Sequence, residues 1–217
     1  MSITVFLADD HAVVRDGLRA LLEAQHDIQV LGDAANGRDA VRRVAELRPD
    51  VVIMDIAMPE LNGIEATQQI LDLCPSTQVI ILSIFSTAEH IFRALEAGAR
   101  GYLLKESAGI EVVKAVRAVH ARRRYLSQKI SDTAIEDYLR QRNSVKVKSP
   151  LARLSPRERE ILQLVVEGKS SAEIADSLPL SIKTVESYRS RLMKKLGIHN
   201  LPGLTKFAIQ HGITPLT

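Results

Sequence analysis

The chain has a single cysteine, Cys74, among 217 residues. One thiol cannot close an intrachain disulfide, nor can it build a cysteine-based zinc cluster. No apolar run approaches the roughly 18 residues that a membrane span requires. The opening Met1-Ser2-Ile3-Thr4-Val5 lacks a basic region and runs directly into strand-like sequence. A secretory signal is therefore not expected, and the cytoplasm is the default compartment. No internal repeat of about 20–50 residues is visible either. What is present is ordinary for a soluble globular protein: 46% apolar and 25% charged residues, at a length that allows two domains with separate cores.

The net charge of +3 hides an asymmetry. Residues 1–125 hold 14 Lys/Arg against 17 Asp/Glu, a balance of −3, whereas residues 126–217 hold 15 against 9, a balance of +6. A basic second half suits nucleic acid, because lysine and arginine displace counterions from phosphates; a solvated basic surface is the plainer alternative.

Up to about residue 122, strand-length apolar runs alternate with helical spacing. Strands are expected at Ile3–Ala8, Ile28–Ala34, Val51–Met54, Val79–Ser83 and Gly101–Leu104. Helices are expected at Val13–Ala24, Arg38–Leu47, Gly63–Leu71, Thr87–Ala97 and Ile110–His120. Five βα units argue for a parallel sheet covered by helices on both faces. Beyond Arg122-Arg123-Arg124 the pattern loosens, with a possible helix over Ser127–Arg140 and a polar stretch ending at Ser149-Pro150. The remainder is helical. Ser155-Pro156-Arg157-Glu158, Ser170-Ser171-Ala172-Glu173 and Ser181–Thr184 are successive helix starts, and Gly168 and Gly197 are stops. Two short helices about a turn followed by a longer basic one make a helix-turn-helix arrangement. The division expected is 1–122, a partly helical linker at 123–150, and 151–217.

Four of the apolar runs end on residues able to handle phosphate: Asp9 and Asp10, Asp55, Ser83 and Lys105. In an open parallel sheet the carboxyl ends of neighbouring strands converge on one crevice, where such folds bind ligands. Three carboxylates, a hydroxyl and an ammonium suit one divalent cation and one phosphoryl group. Magnesium takes oxygen ligands, and an aspartate can attack phosphorus to form an acyl phosphate. Each residue alone could simply be a polar group where a strand meets solvent.

The segments Leu7-Ala8-Asp9-Asp10-His11 and Asp55-Ile56-Ala57-Met58-Pro59-Glu60-Leu61-Asn62-Gly63, with Ser83, Tyr102 and Lys105, resemble a response-regulator receiver domain over residues 3–121. The resemblance implies a flavodoxin-like, doubly wound, five-stranded parallel sheet. It implies Asp55 as phosphoacceptor, and Mg²⁺ held by Asp10, Asp55 and the Ala57 carbonyl, with Asp9 acting through water. It also implies that Ser83 and Lys105 stabilise the phosphoryl group while Tyr102 swings inward. His11 reads as a surface residue and Cys74 as filler at a helix end; Asn62-Gly63 opens a helix, and the plainer readings of Met58-Pro59 and Gly63 are a turn and a positive-φ residue. Ala57 and the bulky Ile84 beside the pocket leave the phosphoryl lifetime open.

The run Leu154–Leu162, then Gly168, Glu173-Ile174-Ala175, Leu180–Tyr188 and Lys195-Leu196, resemble the four-helix LuxR-type helix-turn-helix. Joined to a receiver, this is similar to the NarL/FixJ response regulators. The resemblance implies that helix 182–196 enters the major groove of double-stranded DNA and that helix 201–210 pairs in a homodimer promoted by phosphorylation. Lys183, Thr184, Glu186, Ser187, Tyr188, Ser190, Arg191, Lys194 and Lys195 are the expected DNA contacts, with Arg189 a further cation on the same helix. Leu204, Phe207 and Ala208 are the expected dimer stripe, shared with the core. The leading expectation is a transcription factor switched by a sensor histidine kinase, with no membrane and no enzymatic activity of its own. A phosphate hydrolase with an aspartyl-phosphate intermediate would need a substrate cavity and a further acid beside Asp55. A DNA binder with a vestigial receiver is the third possibility, disfavoured by the complete pocket set.

Overall fold

Val51–Asp55 and Gln78–Ser83 are buried at every position, as strands covered on both faces must be. In the computed structural model, which describes residues 2–130 and 150–214, they form the centre of a parallel sheet. The strands are β1 (Ile3–Ala8), β2 (Ile28–Ala34), β3 (Val51–Asp55), β4 (Gln78–Ser83), β5 (Gly101–Leu104) and β6 (Tyr125–Leu126), in the order β2-β1-β3-β4-β5-β6. The first five follow the expected windows within a residue. The sixth corrects the expected count. Two residues beyond the arginine cluster pair with Gly101 and Tyr102 at the open edge, a span too short to show any alternation.

Helices α1 (Ala12–Glu23), α2 (Gly37–Leu47), α3 (Gly63–Leu73), α4 (Ala88–Glu96) and α5 (Ala108–His120) cover the sheet. Each strand alternates its side chains between two cores. Val5, Leu7, Ile53, Leu82 and Leu103 meet α1 and α5 on one face. Phe6, Val52, Met54, Ile81 and Tyr102 meet α2, α3 and α4 on the other. Ile130 is fully buried in that second core, so the chain just past β6 stays attached to the sheet. Residue 128 begins a helix, and the rest of the expected Ser127–Arg140 helix, like the polar stretch at 141–149, lies outside the described residues.

The second unit is α6 (Pro156–Val166), α7 (Ser171–Ser177), α8 (Ile182–Leu196) and α9 (Leu201–Gln210), after a short 3-10 turn at Pro150–Arg153. The helix-start signals act as expected: Ser155/Glu158 and Ser170/Glu173 both form complete capping boxes. Gly197 closes α8 at φ +68°. Ile161, Leu162, Val185, Leu192, Leu204 and Ala208 fill its core.

The two units pack together through α6. Arg159 pairs with Glu65 at 2.6 Å and Arg38 with Glu160 at 2.8 Å. Past the end of α9, Arg93 donates to the His211 carbonyl at 2.8 Å, and His211 Nδ1 lies 2.9 Å from Glu89.

Candidate functional site

β1 and β3 lie side by side, and β2 continues one way while β4 and β5 continue the other, so the order reverses between these two strands. Their carboxyl ends bring Asp9, Asp10 and Asp55 together, with His11: one ligand atom from each lies within 4.8 Å of every other. Lys105, just past β5, reaches back between them, 2.7 Å from Asp9 and 2.8 Å from Asp55. Ser83 ends β4 and is fully buried. All five strand-end residues therefore meet at one end of the sheet.

Three carboxylates face one ammonium, and the balance shows in Asp55. Burial, opposed by Lys105 and reinforced by Asp9, raises its pKa to about 6. Burial alone would lower that of Lys105, but Asp55 and Asp9 raise it on balance. His11 is exposed and contacts Asp10 at 2.7 Å, so it orients the acid from the solvent side. A cleft of about 120 Å³ opens beside Ser83, Ile84 and Lys105.

Gly63 has a different purpose from a positive-φ turn. A Cβ there would lie 1.8 Å from the Asp55 carbonyl oxygen. Only glycine lets α3 start against the strand that carries Asp55. The residue that does take a positive φ in this loop is Glu60, at +66°. Cys74 caps α3 and is buried.

Tyr102 is already inward: its side chain is fully buried, and its hydroxyl donates to the Phe85 carbonyl at 2.8 Å. Burial pushes its pKa up. The Phe85 amide in turn donates to the Ser83 hydroxyl at 3.1 Å. Ser83, Phe85 and Tyr102 thus form one connected set.

In α8, Val185 and Leu192 are buried and hold the helix down. Lys183, Glu186, Ser187, Ser190, Arg191 and Lys194 are exposed, and Thr184 and Tyr188 are half-buried. The helix is docked by its apolar side, and the expected contact residues face outward. Two cations are committed within the protein. Lys195 pairs with Glu158 at 2.6 Å, and Arg189 donates to the Ser171 hydroxyl. Arg191 stacks over the Tyr188 ring at 5.1 Å. Leu204 and Ala208 are buried in the protomer's own core, which leaves Phe207, half-buried against His211, and exposed Leu201 and Lys206 available on α9.

Sequence reasoning missed the joint between the units. The Gln163 side chain is fully buried; it accepts from the Asn62 amide at 2.7 Å and donates to the Met58 carbonyl at 2.8 Å. Glu167 accepts from the Glu60 amide at 3.1 Å. The only available signal was a glutamine inside the apolar run Ile161–Val166.

Comparison with known proteins identifies the family. Residues 5–117 match the family described as response regulator receiver domain, and residues 152–208 match bacterial regulatory proteins, luxR family. The chain belongs to the LuxR-type response regulators. Oxygen regulatory protein NreC of Staphylococcus aureus is 37% identical to it over 95% of this chain and 96% of that protein. A two-component response regulator of the LuxR family from an Aurantimonas species is 34% identical, with a TM-score of 0.62, over 64% of this chain and 99% of its own. The response regulator in the RcsB–DNA complex is 27% identical, with a TM-score of 0.60, over 97% and 99%. The protein is a two-component response regulator with a receiver and a DNA-binding domain, a transcriptional regulator rather than an enzyme. No described helix is long and apolar enough to cross a membrane.

Proposed function

We propose that Asp55 accepts a phosphoryl group from a sensor histidine kinase and that the receiver thereby controls how the LuxR-type domain pairs on promoter DNA. The observation that carries this reading is Lys105 bridging Asp9 and Asp55, with Asp10 beside them and Ser83 at the end of the adjacent strand. A cluster of three carboxylates with excess negative charge, His11 at its exposed edge, fits Mg²⁺, with Asp10, Asp55 and the Ala57 carbonyl as ligands and Asp9 acting through water. When bound, the cation would neutralise the carboxylates and the phosphoryl oxygens. An Asp55 oxygen bonds phosphorus as the donor's P–N bond breaks, and the electron pair leaves with the imidazole. Lys105 then turns from Asp55 to the new phosphoryl oxygens, and Ser83 donates its hydroxyl to them.

Ser83, in donating to the phosphoryl group, stays linked through the Phe85 amide it accepts from to Phe85 and Tyr102, which is the route by which they feel the change. The docked arrangement leaves the outward face of α8 uncovered and holds the end of α9 against α4. Release therefore acts on pairing through α9 more than on access of α8 to the groove. Residues 1–122 are the receiver, 123–150 the connection and 151–217 the DNA-binding part, acting in the cytoplasm on double-stranded DNA as a homodimer. The test is incubation with Mg²⁺ and acetyl phosphate, followed by mass spectrometry for an acid-stable, base-labile adduct. Wild type should gain one phosphoryl group and Asp55→Asn none. An unmodified wild type, even with candidate kinases supplied, would sink the reading.

A further inference from the structure

The turn after α9 lies on a histidine that neither phosphoryl transfer nor DNA contact uses. His90 on α4 is 3% exposed, its ring stacked on Phe85 with centroids 4.3 Å apart and 4° between planes. Its Nδ1 is 2.7 Å from the Thr87 hydroxyl, while its Nε2 is buried without a hydrogen-bond partner. Gly212 closes over that nitrogen: a Cβ at Gly212 would sit 2.9 Å from Nε2 and 3.2 Å from the Phe85 ring, and the glycine has φ +61°. The DNA-binding domain therefore seals a titratable ring against the same Phe85 whose carbonyl accepts from Tyr102.

We propose that the His211–Gly212 turn is a proton-labile clasp between the two domains, with His90 as its sensor, so that acidification loosens the docked DNA-binding domain without phosphorylation. The imidazolium needs an acceptor at each ring nitrogen, and with the turn seated Nε2 has no hydrogen-bond partner. The His211 carbonyl favours the proton only weakly, because it already accepts from the Arg93 cation, whose charge opposes it. Arg93 is itself a nearby positive charge; Glu89, the one acid on the same helix beside the ring, is engaged by His211. Further out, Glu65 on α3, Arg159 on α6 and Tyr102 act on Arg93 rather than on the ring. Burial, reinforced by Arg93 and by the His211 ring on the turn itself and opposed by Glu89 and the His211 carbonyl, brings the His90 pKa down from 6.5 to about 4. A base with a lowered pKa favours the docked state fully above its free value of 6.5, and that contribution fades as pH falls toward 4. If undocking restores the free value, the ratio of open to docked protein rises about tenfold from pH 7.5 to 5.5. Glu167 works in the opposite direction. Burial raises its pKa, so its protonation favours docking as pH falls.

The experiment rests on the docked arrangement and not on phosphoryl transfer, so it uses the full chain carrying Asp55→Asn, which also removes the titration of Asp55. Hydrogen exchange at the Asn62 amide, held by Gln163 in the docked state, reads the opening ratio after correction for intrinsic pH dependence. The expected result is a tenfold rise in opening at pH 5.5, absent when His90→Phe is added. Phenylalanine preserves the stack on Phe85 and cannot take the proton. Gly212→Val should open the domains at both pH values, seen also as an increased radius of gyration by small-angle scattering. Equal opening at pH 7.5 and 5.5, an undiminished pH effect in His90→Phe, or a Gly212→Val chain with Asn62 still protected would each overturn the proposal.

Discussion

Asp55→Asn should make the cation-free receiver more stable at neutral pH, although it removes the proposed phosphoacceptor. The Asp55 side chain is almost wholly buried, and its pKa is raised from 3.8 to about 6, with burial as the main cause and Lys105 only partly offsetting it. A raised acid pKa means that the folded state binds the proton more tightly than the unfolded chain. The corresponding stability is fully present below 3.8 and is lost as pH rises through about 6. Two units at about 1.4 kcal/mol each set an upper bound of about 3 kcal/mol for the cost of the ionised group at pH 7.5. Asparagine removes the charge and can still accept from Lys105, so a gain of about 1–3 kcal/mol is expected. Urea unfolding followed by circular dichroism in EDTA should show this gain at pH 7.5 and its disappearance near pH 4. Added Mg²⁺ should reverse the order by stabilising wild type more than the variant. An asparagine variant no more stable than wild type at pH 7.5, or a difference independent of pH, would refute the electrostatic account of the pocket.

Gln163→Leu should weaken docking at least tenfold, read as faster exchange at Asn62. It strands a buried amide and a buried carbonyl at about 1–3 kcal/mol each unless water enters, so unchanged protection would contradict the role given to Gln163. Arg191→Ala should lower affinity for all DNA sequences and reduce the slope of log affinity against log salt by about one; a loss confined to a single target would contradict a phosphate-facing role. Ser155→Ala breaks the capping box of α6 and should cost the C-terminal domain about 1 kcal/mol, visible as a lower melting temperature of that unit.

The sheet, its helices and the pocket were legible because they depend on local signals. Strands buried on both faces read as continuous apolar runs, and parallel strands bring their carboxyl ends together whatever the details of packing. The sixth strand was not legible, since Tyr125–Leu126 joins the sheet only because β5 presents an open edge. The fate of α9 was ambiguous for a related reason. One apolar stripe can serve the protomer's core or a partner, and burial assigns Leu204 and Ala208 to the core. Gly63 illustrates a third limit, because its requirement comes from the Asp55 carbonyl that α3 approaches.

The joint between domains was hidden most completely, and it alters the meaning of the pocket. Met58, Glu60 and Asn62, which offer main-chain groups to Gln163 and Glu167, belong to the loop that leaves Asp55 and includes Ala57. Asn62 also caps α3, accepting from the Ile64 and Glu65 amides, and Glu65 holds Arg159 of α6. On the other side of the pocket, Ser83 leads through Phe85 and His90 to Gly212. Both loops that flank the proposed phosphoacceptor Asp55 are therefore also footholds of the DNA-binding domain. Coupling of this kind is reciprocal. If phosphorylation at Asp55 weakens docking, docking must weaken phosphorylation by the same free energy, so a variant that frees the DNA-binding domain should form more adduct at equal acetyl phosphate.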